Sequence, residues 1–275
     1  MLGSAFFAHR FGWSLLILIV PIAVLSVVIG SDMSSSAVFI SVIIMGGLSG
    51  LVVKNKISLT HYVLIVPVFT ALLFSGDYYY QKIYNNYDLL ADSKEQVVKY
   101  LEKSEASKED KEAMLADVNV VLDVVRDIVP FTVFLYMLMF SALCYIVVKR
   151  FFIIFKKGIS ANSLSLFDIN AYFVFVFILA WAFVLLAGRE MGVPYVVVLN
   201  GALIMSTLYF VQALGVLSFF MKKKNLPDYL LILLVVLIIF LSKGVGAVLA
   251  IILTGVGLLD LWADFRKIRI GKMNA

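Results

Sequence analysis

The chain reads as an all-α polytopic membrane protein of about eight transmembrane helices, with both termini on the cytoplasmic side. Three observations predict this. Apolar residues make up 63% of the 275 residues and charged residues only 15%, with a mean hydropathy of +1.02. Soluble domains hold about 45–50% apolar and about 25% charged residues, so the excess has to face lipid or other lipid-embedded helices. Apolar runs near the ~20 residues needed to cross a bilayer core recur along the chain. The connections between them alternate between basic and not basic, as expected when Lys and Arg are retained on the cytoplasmic side. The whole of 1–275 is read as one membrane domain, with 77–127 as an extracytoplasmic helical insertion within it.

The first run, 12–30, is too long for the h-region of a signal peptide. Its n-region has only Arg10 as a fixed cation, so it is expected to stay as a span. The second run, 37–53, carries Gly46, Gly47, Ser49 and Gly50. The Gly46-x-x-x-Gly50 spacing lets another backbone approach closely, either inside the bundle or as a docking face for another membrane protein. The third run is 59–75. The fourth, 128–148, contains Pro130 near its start and closes on Lys149 and Arg150. The fifth, 169–188, begins beside Asp168 and Asn170, for which an N-cap role is expected. The sixth is 195–221. The seventh, 229–241, is short and is separated from the eighth, 245–261, by Ser242-Lys-Gly-Val-Gly246. It is a full crossing or half of a re-entrant hairpin, and either form returns the chain to the same side.

With the N-terminus inside, the cytoplasmic connections hold Arg10, Lys54, Lys56, the Lys149/Arg150/Lys156/Lys157 cluster, Lys222–Lys224 and the basic C-terminal tail. The short outer connections hold only Arg189 and Lys243. The net charge of +5 is therefore assigned to topology and anionic lipid, and no nucleic-acid partner is expected. The single cysteine, Cys144, excludes an intrachain disulfide and a cysteine metal cluster.

The segment 77–127 carries 12 acidic and 7 basic residues and is expected outside, because long segments cross largely regardless of charge. Ser93-Lys-Glu-Gln96 and Ser107-Lys-Glu-Asp110 look like capped helix starts. After the second, Met114, Leu115, Val118, Val121, Leu122 and Val125 recur at helical spacing, with Glu112, Asp117 and Asp123 opposite. This predicts a helical hairpin whose second arm runs into the fourth span, bent at Pro130. Tyr78, Tyr79, Tyr80, Tyr84 and Tyr87 suit an outer aromatic belt. Two readings of the hairpin stand: a lid over an outward-facing cavity, and a solvated cap that only shields the bundle.

Polar residues inside spans are the first candidates for function, because bilayer burial is costly. The sixth run holds Asn200, Ser206, Thr207, Tyr209 and Gln212. At 100° per residue, Asn200 and Thr207 share one face and Tyr209 and Gln212 another. Such uncharged donors and acceptors suit a neutral or zwitterionic ligand, and suit interhelical hydrogen bonds equally. Asp260 and Asp264 lie one turn apart at the inner end of the last run, followed by Arg266. Trp262 marks this as the headgroup zone, which favours a cytoplasmic-interface role with salt bridges to the 149–157 cluster or to Arg266. His9 and His61 are not at metal-ligand spacing, and no nucleotide, hydrolase or metalloprotease motif is present. No metal, cofactor or enzymatic activity is expected.

The stretch 194–269 carries Pro194, then Asn200, then Tyr209-Phe-Val-Gln-Ala-Leu-Gly215, and closes on Gly257-Leu-Leu-Asp260-Leu-Trp-Ala-Asp264-Phe-Arg266. Together with Pro130 and Lys149/Arg150 it resembles the YybS-like family of bacterial inner-membrane proteins, a domain of unknown function. More remotely it resembles the S components of energy-coupling-factor transporters, which hold a vitamin or metal near the outer face and dock on a membrane partner. S components usually have six spans, and their alanine-spaced docking motif is not visible in the first run. The resemblance implies a multi-pass inner-membrane protein and supplies no ligand residues. The expectation is a small-molecule-binding or transport subunit, its site around Asn200, Ser206 and Thr207, that draws energy from a partner. The alternative is a non-catalytic scaffold or assembly protein. Lipid, another membrane protein or a second copy are the expected partners.

Overall fold

The computed structural model describes residues 33–53, 57–84, 89–103, 108–154, 164–227, 230–231, 233, 236 and 244–266. The first expected run lies outside the described residues, and the seventh is described only at Leu230, Leu231, Leu233 and Val236. Among the described residues there are seven α-helices, two short 3-10 turns and no strand. The helices are α1 (Met33–Val53), α2 (Leu59–Tyr84), α3 (Leu89–Lys103), α4 (Lys108–Ile154), α5 (Phe173–Ala187), α6 (Val193–Lys223) and α7 (Val245–Ala263).

Three helical stretches are long and apolar enough to cross a membrane: Glu109–Ile154, Val193–Lys223 and Val245–Ala263. Shorter apolar helices cover Ile43–Val53, Leu59–Leu72 and Phe173–Ala187. The protein is thus an all-helical membrane architecture with three spanning candidates among the described residues, fewer than the eight expected from hydropathy. The fifth run shows one reason. Its helix has 15 residues, about 23 Å at 1.5 Å per residue, short of a ~30 Å hydrocarbon core. Residues 167–172 stay outside that helix, because the Ile169 N–H donates to the Gln212 side chain at 3.2 Å and the Asp168 N–H to Thr60 Oγ1 at 3.2 Å. Asp168 therefore does not cap α5. Asn170 instead accepts the Tyr172 N–H at 3.1 Å in a local turn.

The helices form two groups, α1–α2–α4 and α5–α6–α7, joined where α4 packs on α6. Ser58 starts α2 by accepting the His61 N–H at 3.2 Å, the geometry of an N-cap. The first group is pinned by Tyr62, whose hydroxyl donates to the Ser141 carbonyl of α4 at 2.8 Å and meets Ser49 Oγ of α1 at 2.8 Å. Gly46 and Gly50 are buried on α1, which packs on α2 and α4, so the chain itself covers that small-residue face. Tyr62→Phe keeps the ring and removes the polar link. The expected cost is about 0.6–2 kcal/mol, read as a lowered unfolding midpoint in detergent; an unchanged midpoint would show that the hydroxyl is energetically idle.

At 47 residues, α4 is about 70 Å long, more than twice the thickness of a bilayer core. Its first half is the amphipathic arm expected from the sequence, continuous with the apolar run. The arm packs on α3, with Leu115, Val118, Leu122 and Val125 partly buried and Glu112, Asp117 and Asp123 exposed. Met114 and Val121, expected on the covered stripe, are exposed, because α3 covers only one side of it.

Candidate functional site

Where α4, α5, α6 and α7 converge they line an open-sided cavity of about 650 Å³. Phe131 and Leu135 of α4, Phe177 and Trp181 of α5, Phe210 of α6 and Ile251 of α7 supply its apolar wall. The polar groups at its edge are hydroxyls of Ser206, Thr207 and Thr254. Each spends its proton on its own helix: Ser206 on the Ala202 carbonyl at 2.8 Å, Thr207 on Leu203 at 3.0 Å and Thr254 on Ala250 at 2.8 Å. Ser206 also accepts the Trp181 indole N–H at 3.1 Å, which fixes the ring against α6. The wall can accept a hydrogen bond but has little left to donate. It suits a largely hydrocarbon occupant.

One polar knot closes the α4 end of this cavity. Pro130 has no N–H, and its ring crowds the carbonyl one turn back, so α4 is weakened where the charged arm meets the apolar run. Asn200 of α6 bridges the adjacent rung, bonding both the Asp127 carbonyl and the Phe131 N–H. Its amide nitrogen donates to the Asp127 carbonyl at 2.6 Å and to Val196 at 2.7 Å, and its oxygen accepts the Phe131 N–H at 2.7 Å. The Asp127 carboxylate meets Arg189, from the 3-10 turn Arg189–Met191 between α5 and α6, through Nε at 2.7 Å and Nη2 at 2.6 Å. That turn is set by Gly188 and Gly192, both near φ +64°, a backbone state that glycine adopts without strain. Hydrogen bonding and the negative charge of Asp127 raise the Arg189 guanidinium above its ordinary pKa.

A second knot lies at the other end. Arg266 is 4% exposed and Asp260 2% exposed. Arg266 donates to Asp260 Oδ2 through Nε at 3.1 Å and Nη2 at 2.5 Å, and through Nη1 to the carbonyls of Ser165 at 3.0 Å and Phe167 at 2.6 Å. Asp168 adds a carboxylate 3.8 Å from Nη2. Gln212 joins this knot to α5, donating to Asp260 Oδ2 at 3.2 Å while accepting the Ile169 N–H. Asp260 Oδ1 is buried and has no hydrogen-bond partner among the described residues. The knot is possible because Gly215 leaves room: a Cβ there would sit 2.8 Å from the Leu164 carbonyl and 3.2 Å from Arg266 Nη1.

The structure therefore divides the residues singled out from the sequence. Ser206 and Thr207 border the cavity. Asn200 stands about two turns from them along α6, its amide engaged with backbone. Gln212 belongs to the second knot. Tyr209 is fully buried, edge-on to Phe177 with ring centroids 5.3 Å apart. Of the two partners expected for Asp260, the structure supplies Arg266. Asp264 is separate from that pair: it ends α7 at φ +41°, with its N–H bonded to the Asp260 carbonyl. Trp181, Thr254 and the Asp127–Arg189 pair were not anticipated. The available signal for the pair was Arg189, a lone cation in a short connection expected outside, together with Asp127 three residues before a proline.

A family model described as "Predicted membrane protein (DUF2232)" matches residues 4–261. The chain belongs to this family. The match agrees with the YybS-like resemblance read from the C-terminal half and extends it over almost the whole chain. No curated protein and no solved structure matches the chain. Membership of DUF2232 fixes the class, a membrane protein, and leaves the activity to be argued from the site.

Proposed function

We propose that the protein is a small-molecule-binding or transport subunit of the bacterial inner membrane, with no enzymatic activity of its own. The observation that carries this reading is the cavity of about 650 Å³ among α4–α7, within the ~300–1,000 Å³ range of ligand pockets. Its satisfied hydroxyls and aromatic wall suit a largely apolar molecule, and Ser206 and Thr207 offer acceptor lone pairs to a single hydroxyl or amine on it. About eight spans with both termini in the cytoplasm would put Asn200 and Arg189 at the outer end and Lys222–Lys224 at the inner end. No nucleotide-binding motif is present in the sequence, so transport would draw on an energised partner, as in S components. Native mass spectrometry of gently extracted protein is expected to show one bound molecule of constant mass. Thr207→Trp, which projects an indole into the cavity, is expected to remove it while the protein remains monodisperse. A wild-type protein with no adduct, or a variant that keeps it, would defeat the proposal.

The scaffold reading has one observation in its favour. Tyr100, Met114, Val120, Val121 and Val124 are exposed on the α3–α4 arm, which carries charge enough to lie outside the bilayer. Stoichiometric co-purification of a second membrane protein, lost on Val121→Lys, would favour it over ligand binding.

A further inference from the structure

We propose that α4 is hinged at Pro130, and that Asn200 and the Asp127–Arg189 ion pair form a clasp whose release swings the arm and widens the cavity. The assignment of the cavity as the thing gated rests on the function proposed above; the hinge does not.

Four features of the structure meet at this point. The arm, Lys108 to Asp127, is charged and mostly exposed, so it is held by few buried contacts beyond α3. A proline stands within one turn of the arm's root and removes a helical hydrogen bond there. Thr132 adds a side-chain bond to the Ile128 carbonyl at 3.0 Å, a back-bonding that bends helices further. The rung that would otherwise carry the helix past the proline, Asp127 to Phe131, is bridged by a side chain from another helix. A helix braced at its proline by a neighbour's amide loses that brace when the neighbour shifts. An ordinary helical rung would move with it.

The clasp also lies where movement would matter. Phe131, whose N–H Asn200 holds, is itself a wall residue of the cavity, as is Leu203, one turn along α6 from Asn200. The fastening on the outside is a charge pair in which Asp127 is 10% exposed and Arg189 49% exposed at the side chain. Arg189 sits on a turn between two glycines of positive φ, so it is carried by a loop and not by a helix. Arg126, 3.7 Å from the other Asp127 oxygen and 3.2 Å from Asp123, offers the carboxylate a second cation on the arm itself. Asp127 can therefore leave Arg189 without being left uncompensated, which a two-position arm requires.

The test is a distance distribution by pulsed electron paramagnetic resonance, with spin labels at Asp117 on the arm and Val245 at the start of α7, in a Cys144→Ser background without added ligand. Wild type is expected to give one narrow distribution. Arg189→Gln and Asn200→Ala are each expected to add a second population or to broaden the first at least twofold. Combining Pro130→Ala with Asn200→Ala restores the missing N–H and is expected to narrow it again. Arg189 is half-exposed, so its variant carries the test should Asn200→Ala not fold. A wild-type-like distribution in Arg189→Gln, or a double variant as broad as Asn200→Ala alone, overturns the hinge. Gating is read separately from Trp181 fluorescence quenched by brominated lipid, with Trp13 and Trp262 replaced by Phe. Arg189→Gln is expected to raise quenching at least twofold; unchanged quenching beside an altered distance distribution overturns the gate. Absence of a bound molecule in native mass spectrometry defeats the ligand reading and leaves the hinge result standing.

Discussion

Arg266→Ala is expected to be among the most damaging single substitutions in the chain. The guanidinium is almost fully buried; it donates to the Asp260 carboxylate and to two backbone carbonyls, with Asp168 3.8 Å away. Its removal leaves the buried Asp260 carboxyl without its partner, and breaking a buried pair from one side costs about 3–5 kcal/mol. The Asp260 carboxylate has little else to turn to: Oδ1 lacks a hydrogen-bond partner among the described residues, and Oδ2 keeps only Gln212. The carbonyls of Ser165 and Phe167 lose their donor in the same step, so the segment leading into α5 loosens as well. Arg266→Lys is not expected to rescue, because an ammonium cannot fork between a carboxylate and two carbonyls. Arg266→Met with Asp260→Leu is expected to recover most of the loss, since replacing both partners of a buried pair by apolar groups is often near neutral. Unfolding free energies in mixed micelles check the series. Arg266→Ala within about 1 kcal/mol of wild type would mean that the knot is not dry.

The same knot shows what the chain discloses before folding and what it withholds. Membrane residence, all-helical class and the long α4 follow from properties of single segments: composition, an unbroken apolar run, an amphipathic arm. Asp260 and Arg266 are six residues apart at the end of one helix, so their pairing was open to local reading. Asn200 and Gln212 were recognised as costly polar groups, but a helical wheel gives a direction and no partner. Their partners lie 43 to 73 residues away, and both turn out to hold backbone that a proline or a non-helical turn has left short of hydrogen bonds. The late start of α5 is the same effect seen from the other side: Ile169 is a good apolar helix residue whose N–H is claimed by Gln212. The cavity was legible only in part, since Ser206 and Thr207 mark α6, while Trp181 and Thr254 come from two other helices. A void belongs to the arrangement of elements and to none of them singly.

Gly257→Ala should separate α6 from α7, the most extensive helix pair among the described residues. A Cβ at Gly257 would overlap the Tyr209 carbonyl oxygen, and would stand 2.8 Å from the Tyr209 carbonyl carbon and 3.1 Å from the Ala213 nitrogen. All three are backbone atoms of a buried helix, so no rotamer change can clear the space. The two axes have to move apart along their length, which strips contacts from Leu253 and Leu261 on either side. Overpacking typically costs about 1–3 kcal/mol, and a backbone-to-backbone collision belongs at or above the top of that range. Two neighbouring glycines supply the controls. Gly215→Ala meets the Leu164 carbonyl and an Arg266 side-chain nitrogen that can shift, so a smaller loss is expected. Gly255→Ala meets nothing within 4 Å, and the gain in helix propensity, up to about 1 kcal/mol in water, makes it neutral or stabilising. Thermal midpoints in one detergent should therefore fall in the order Gly255→Ala, Gly215→Ala, Gly257→Ala, highest first. Equal midpoints for the outer two would mean that α6 and α7 do not touch at Gly257. The register that aligns Ser206 with Thr254 beside the cavity would then have no anchor.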